Sequence, residues 1–189
     1  MVDSDLAIEP VTPQRWHDVE LLFGERGASS GCWCMWWRKS AKEWARDAGT
    51  VNKRELRSLV QADPAPGLLA YRNDEPVGWV ALAPRDRYPR LQRSRNLGPV
   101  DDRPVWVISC FYIDRHHRGT GVATALLAGA IRFASANGAR AVEGAPIDTS
   151  TRTPPNADLY TGTLAMFLDA GFEEIARRSR RPIVRRVLR

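Results

Sequence analysis

The chain has 189 residues, 43% hydrophobic and 26% charged, with a formal net charge of +6 at pH 7. That length and balance predict one folded domain spanning residues 1–189 and leave no long disordered segment. No run reaches the ~20 apolar residues that cross a bilayer, acids stand near the N-terminus where a secretory signal carries bases, and three cysteines are an odd number for a disulfide framework, so a cytoplasmic protein without membrane contact is expected.

In chain order, residues 6–11 read as a short strand. Thr12 as cap and Pro13 as first helical residue then open a helix to about Phe23, with Trp16, Val19, Leu22 and Phe23 on its apolar face. Residues 27–38 are loop-like and then aromatic, and 41–62 helical with a break near Gly49. Strands at 68–72 and 77–83 flank the turn residues Asn73-Asp74-Glu75-Pro76 and predict a hairpin. Residues 84–103, rich in Arg and Pro, are long for a connection and predict a substrate-covering or mobile loop.

Residues 105–114 form a continuous apolar strand expected to be buried on both faces. From Gly121, Val122, Leu126, Ala130, Phe133 and Ala134 keep to one helical stripe that ends at Asn137-Gly138. A strand at 141–147, a polar loop at 148–157, a helix at 160–170 closed by Gly171, and a hairpin of 172–178 with 183–188 complete the chain. The order predicts a mixed α/β (α+β) fold with a largely antiparallel central sheet of about six to seven strands and about four helices.

The strand ending at Asp114 crosses Arg115-His116-His117-Arg118 and enters the helix through Gly119 and Gly121. The first N–H groups of a helix lack intrahelical acceptors, the dipole is positive there, and glycines admit a phosphate closely. A P-loop would need Lys and then Ser or Thr where Val122 and Ala123 stand, and a dinucleotide fingerprint would need a glycine at Thr124. Arg118-Gly119-Thr120-Gly121-Val122-Ala123 instead resembles the coenzyme A signature of the GCN5-related N-acetyltransferase family: Gln or Arg, two residues, Gly, one residue, Gly or Ala. The preceding strand being fourth, and Gly171-Phe172 leading into a last strand pair, resemble that family too.

The resemblance implies acetyl-CoA as cofactor, attack by a primary amine of a small molecule, peptide or protein in a ternary complex, and an oxyanion held by backbone N–H groups around Phe111, Tyr112 and Ile113. It also implies a fork between the fourth and fifth strands. The family's occasional Glu on the fourth strand is missing between Trp106 and Ile113. Phe167 stands where many members carry a Tyr acid. Glu143 on the fifth strand, unless it is merely solvated or ion-paired, and Tyr160 at the start of the last helix remain as candidate base and acid. Cys110 suits a small buried hydrophobe better than an acylated nucleophile. Transfer of a longer acyl group, or a CoA- or RNA-binding module without turnover, are the rival readings.

Trp33, Trp36, Trp37 and Arg38 crowd a stretch that in the resembling fold overlies the acceptor end of the cleft, so they are candidate acceptor contacts, with core packing the alternative. Cys32 and Cys34 lack the second ligand pair of a zinc site, and no metal is expected. Arg85, Arg87, Arg90, Arg93 and Arg95 would bind an acidic acceptor or nucleic acid if clustered, although exposed arginines usually pair locally, and nucleic acid is not favoured. A homodimer is left open.

Overall fold

The computed structural model describes residues 6–150 and 156–188. Residues 1–5, residue 189 and residues 151–155 of the polar loop lie outside them. Among the described residues seven strands make one sheet, in the order β1-β2-β3-β4-β5-β7-β6. They are β1 (Leu6–Pro10), β2 (Gly67–Arg72), β3 (Glu75–Pro84), β4 (Trp106–Ile113), β5 (Ala141–Gly144), β6 (Glu173–Arg177) and β7 (Pro182–Val187). Among these strands only β4 and β5 pair in parallel. Among the described residues six α-helices accompany the sheet: α1 (Trp16–Phe23), α2 (Ala41–Arg46), α3 (Thr50–Val60), α4 (Pro89–Gln92), α5 (Val122–Ala136) and α6 (Leu164–Asp169).

Local chemistry explains most of these boundaries. Asn73 and Asp74 both take positive φ, 50° and 64°, which a tight two-residue hairpin of native twist requires. Ser40 and Glu43 form a reciprocal capping box at the start of α2, the pattern a Ser-x-x-Glu sequence favours. Thr12 precedes a 3-10 turn at Pro13–Arg15 rather than α1 itself, and its side chain caps nothing.

Side chains alternate along β3, so Val80 and Leu82 face α5 while Trp79 and Ala81 face α1 and α3. Leu126 and Leu127 of α5 are fully buried, each contributing about 1.5–3 kcal/mol of apolar burial. Residues 84–103 depart from the loop expected there. Tyr88, Leu91 and Leu97 are buried against Val107, Ala141 and Ile183, making this segment a packed layer on the α1 side of the sheet.

One irregularity of the sheet positions the candidate site. β4 and β5 pair at Trp106↔Val142, Val107↔Glu143 and Ile108↔Gly144. Then Pro146, which has no N–H to donate, ends the ladder, and β5 stops at Gly144 rather than reaching 147. Ile147 keeps only a bridge to Thr163. β4 runs on to Ile113 with that edge open, and Ser109 is the extra residue of a bulge between Ile108, opposite Leu82, and Cys110, opposite Ala81.

Candidate active site

At the end of β4, Asp114 accepts a hydrogen bond from the His116 N–H at 2.9 Å and starts a 3-10 turn through Arg115–His117. Gly119 and Gly121 follow at φ 73° and 81°, left-handed conformations that glycine adopts without a Cβ penalty. Gly121 is the N-cap of α5, and the first helix-closing bond runs from Ala125 N–H to its carbonyl. The N–H groups of Val122, Ala123 and Thr124 therefore have no acceptor within the helix.

A Cβ built on Gly119 or Gly121 meets nothing within 4 Å, so the space beside both glycines of the turn is open. Arg72, which the sequence did not single out, braces the turn. Its guanidinium donates to Thr120 Oγ1 at 3.1 Å and lies 3.3 Å from His117 Nδ1, while Thr120 Oγ1 donates to the His117 carbonyl at 2.7 Å. Arg118 is exposed and held over the strand end by its bond to the Ile113 carbonyl at 3.3 Å.

The open edge of β4 leads directly into this turn. At the fork itself a cavity of about 20 Å³ is lined by Ser109, Gly144, Ala145, Thr161, Arg85 and Trp37, among others, room for about one water. Thr161 Oγ1 is buried without a hydrogen-bond partner. On the α5 side Phe167 fills the fork, fully buried edge-on to Phe111 (6.3 Å) and Phe172 (4.9 Å). It fits only because Gly144 lies beneath it, where a Cβ would come within 2.5 Å of its ring.

The Acetyltransferase (GNAT) family model matches residues 32–161, well over half of the chain. The chain belongs to the GNAT acetyltransferase family. Membership makes it an acyl-CoA-dependent N-acetyltransferase that uses acetyl-CoA. In fold it resembles a histone acetyltransferase HPA2 and related acetyltransferase from Corynebacterium glutamicum, with TM-score 0.58 and 18% identity over 98% of this chain and 97% of that one. A GNAT family acetyltransferase from Listeria monocytogenes gives TM-score 0.58 and 11% identity, covering 97% and 95%. A GCN5-related N-acetyltransferase from Kribbella flavida gives 0.55 and 17%, covering 97% and 98%. No curated protein matches the chain in sequence.

Acetyl-CoA fits the residues present in this GNAT protein. The turn 118–124 offers open space, unpaired N–H groups and the positive end of α5 to a pyrophosphate, and the orphaned Thr161 hydroxyl waits at the fork. Phe111, Tyr112 and Ile113 lie on the stretch of β4 with the open edge, where the resemblance expected them.

The two proton-transfer candidates fare differently. Glu143 is 1% exposed, and one carboxylate oxygen accepts from Arg85 Nη2 while the other accepts from Arg185 Nε at 2.8 Å and Nη2. Arg185 also pairs with Asp101 at 2.7 Å. With both oxygens occupied by fixed cations, Glu143 is placed as a structural ion-pair partner rather than as a base, the alternative left open by the sequence. Tyr160 sits in a 3-10 turn at Asn156–Thr161, ahead of α6 rather than at its start. Its hydroxyl accepts from Arg181 Nη1 at 3.1 Å, so its own proton is available.

The candidate acceptor wall is narrower than the tryptophan count suggests. Trp33 is a core residue, 2% exposed, with its ring 6.1 Å from Trp16 and 5.5 Å from Phe23. Its φ of 45° turns it inward at a cost of roughly 1–2 kcal/mol, offset by that burial, and it is removed from the acceptor candidates. Trp36, Trp37 and Arg38 line an open hollow of about 770 Å³ with Arg90 and Arg93. Cys34 is buried and accepts from Trp79 Nε1 at 3.1 Å. A thiol hydrogen bond with Cys110, then burial, pushes it well above the usual thiol range, which suits packing rather than reaction. Among the described residues no group of three or more His, Cys, Asp or Glu gathers as a metal site, and no helix is long and apolar enough to cross a membrane.

Charge pairing anchors the base of the aromatic turn. Asp47 accepts from Arg46 Nε at 2.7 Å and from Lys39 at 2.8 Å, and Asn52 donates to the Gly31 carbonyl at 3.1 Å. The Arg46 bonds first, then Lys39, hold the Asp47 carboxyl well below its ordinary value. Such a group adds stability above its unfolded pKa that is lost as pH falls toward its folded one. Asp47→Asn is therefore expected to melt below wild type at pH 7, with the gap starting to narrow only below about pH 4 and still present at about pH 3, read from thermal midpoints across pH.

Proposed function

We propose that this enzyme transfers acetyl from acetyl-CoA directly to a primary amine in a ternary complex, with the fork between β4 and β5 as the reaction centre. The observation that carries this is the open edge of β4 beyond Ile108 running into the glycine turn that starts α5. Acetyl-CoA, when bound, supplies an acyl group activated as a thioester. The N–H groups of residues 122–124, with Arg118 beside them, hold its pyrophosphate. Backbone N–H groups around Phe111 to Ile113 on the open edge stabilise the developing oxyanion.

An alkyl amine arrives as an ammonium, because its pKa is near ~10.4. With Glu143 locked between two arginines, solvent at the small cavity beside Ser109 and Thr161 takes the proton. Tyr160 is the donor to the leaving thiolate. Its oxygen already accepts from Arg181, an arrangement that orients its O–H and steadies charge on the oxygen. Three free thiols fit a reducing compartment.

Tyr160→Phe is accordingly expected to lower kcat by ~10²–10⁴ with the acetyl-CoA KM nearly unchanged, as measured by initial rates. A silent substitution would assign the proton to solvent. The overall reading is tested by thiol release from acetyl-CoA and longer acyl-CoAs over a panel of primary amines. Amine-dependent release, fastest with acetyl-CoA, is expected. Tight CoA binding without amine-dependent release from any acyl-CoA would overturn it.

A further inference from the structure

The open hollow beside α4 has an unusual charge balance. Trp36 and Trp37 form its apolar wall, and Arg38, Arg90 and Arg93 stand around it. Its two sides are joined, since the Arg90 N–H donates to the Trp37 carbonyl at 3.2 Å. The Arg90 guanidinium lies 3.4 Å over the Trp36 ring, and its Nη1 is buried without a hydrogen-bond partner. Arg38 stacks on Tyr88 at 4.6 Å and reaches only a backbone carbonyl, that of Arg87, at 3.4 Å.

Among the described residues none of these three guanidiniums is paired with a carboxylate. The carboxylate on the lining, Glu43, is taken up in capping α2, where it accepts from the Ser40 N–H at 3.0 Å. Arg85, Arg177 and Arg185, by contrast, all have carboxylate partners. Guanidinium donors with unused N–H groups are built to meet an oxyanion, and an aromatic face beside them suits the apolar part of the same ligand.

The hollow also touches the chemistry. Trp37 lines both this hollow and the small cavity at the fork with Ser109, Gly144 and Thr161. We propose that the hollow holds the acidic end of the acceptor, so that the substrate is a primary amine that also carries a carboxylate or phosphate. Arg38, Arg90 and Arg93 bind the oxyanion, Trp36 and Trp37 bear the carbon skeleton, and the amine passes Trp37 to reach the fork. This rests on the fork being the reaction centre.

Matched acceptors test it: amino acids against their carboxamides, and phosphoethanolamine against ethanolamine, in thiol-release assays with acetyl-CoA. The acidic member of at least one pair is expected to have the higher kcat/KM by about 10-fold or more, the effect of one or two charge-assisted hydrogen bonds. Which pair responds identifies the anion. Arg90→Gln and Arg93→Gln should erase the preference without raising the acetyl-CoA KM, and Arg90→Lys should restore part of it. Equal or better rates for the neutral members with the wild type would overturn the proposal, with no variant needed.

If no amine turns over, the acetyl-transfer reading fails, and tryptophan fluorescence titrations with the same pairs decide the binding claim separately. Saturable quenching by the acidic member alone, lost in Arg90→Gln, supports it. Indistinguishable titrations for acid and amide overturn it.

Discussion

Gly121→Glu is expected to abolish measurable acetyl-CoA binding while leaving a folded protein. The glycine is the left-handed N-cap of α5 at φ 81°, and a Cβ there meets nothing within 4 Å. The fold thus loses only the conformational penalty of a non-glycine residue in that region, about 1–2 kcal/mol. The ligand loses far more. A carboxylate held about 4 Å from a phosphate repels it by roughly 4 kcal/mol near a protein surface, on the order of 10³-fold in affinity, besides occupying the space in front of the free N–H groups. Gly121→Ala carries the same backbone penalty without the charge. Calorimetry with CoA should find the alanine variant weakened several-fold and the glutamate variant silent, both with cooperative melts.

Glu143→Gln should have the largest effect on stability. It leaves Arg85 and Arg185 facing a neutral amide in a buried site, and removing one partner of such a cluster costs about 3–5 kcal/mol. For a chain of this size that lowers Tm by about 10 °C. Asp101→Asn should be milder, because Asp101 is exposed and its contact besides Arg185 is the neighbouring Arg103 N–H. Below its melting temperature the Glu143 variant should keep a near wild-type kcat. A loss of 100-fold or more with little change in Tm would restore Glu143 as the base.

What could be read in the sequence was what is local in it. The buried β4, the glycine turn into α5, the hairpin at Asn73-Asp74 and the break near Gly49 each depend on residues within a turn or two of one another. The last hairpin and the antiparallel sheet followed from the order of such elements. Some misjudged features depend on distant partners. Arg85 read as one of a run of loop arginines that would pair locally, because Glu143 lies 58 positions away. Arg72 gave no sign that it would reach Thr120, 48 positions on.

Trp33 illustrates a different obstacle. Its neighbours Trp36 and Trp37 share its composition, and only the left-handed backbone at 33 and 34 sends one ring into the core and leaves the others at the hollow. No residue type announces φ > 0 when it is not glycine, asparagine or aspartate. The packed layer at residues 84–103 was hidden because its apolar residues, Tyr88, Leu91 and Leu97, are spaced among arginines, of which Arg87, Arg93 and Arg95 are exposed. Pro146, by contrast, did carry a signal: a residue without an N–H two positions after Gly144 marks where β5 leaves the sheet, and the fork follows from it.

We propose that the turn at 118–124 and the fork of β4 and β5 work together as an acetyl-transfer site. Its most direct test is a single assay that follows free CoA thiol and N-acetylated amine from acetyl-CoA in wild type and Gly121→Glu. Equal amounts of thiol and acetylated amine from the wild type, and neither from the folded Gly121→Glu protein, are the expected result. Amine-dependent acetyl transfer that survives Gly121→Glu at the wild-type acetyl-CoA KM would contradict the assignment of this turn as the cofactor site.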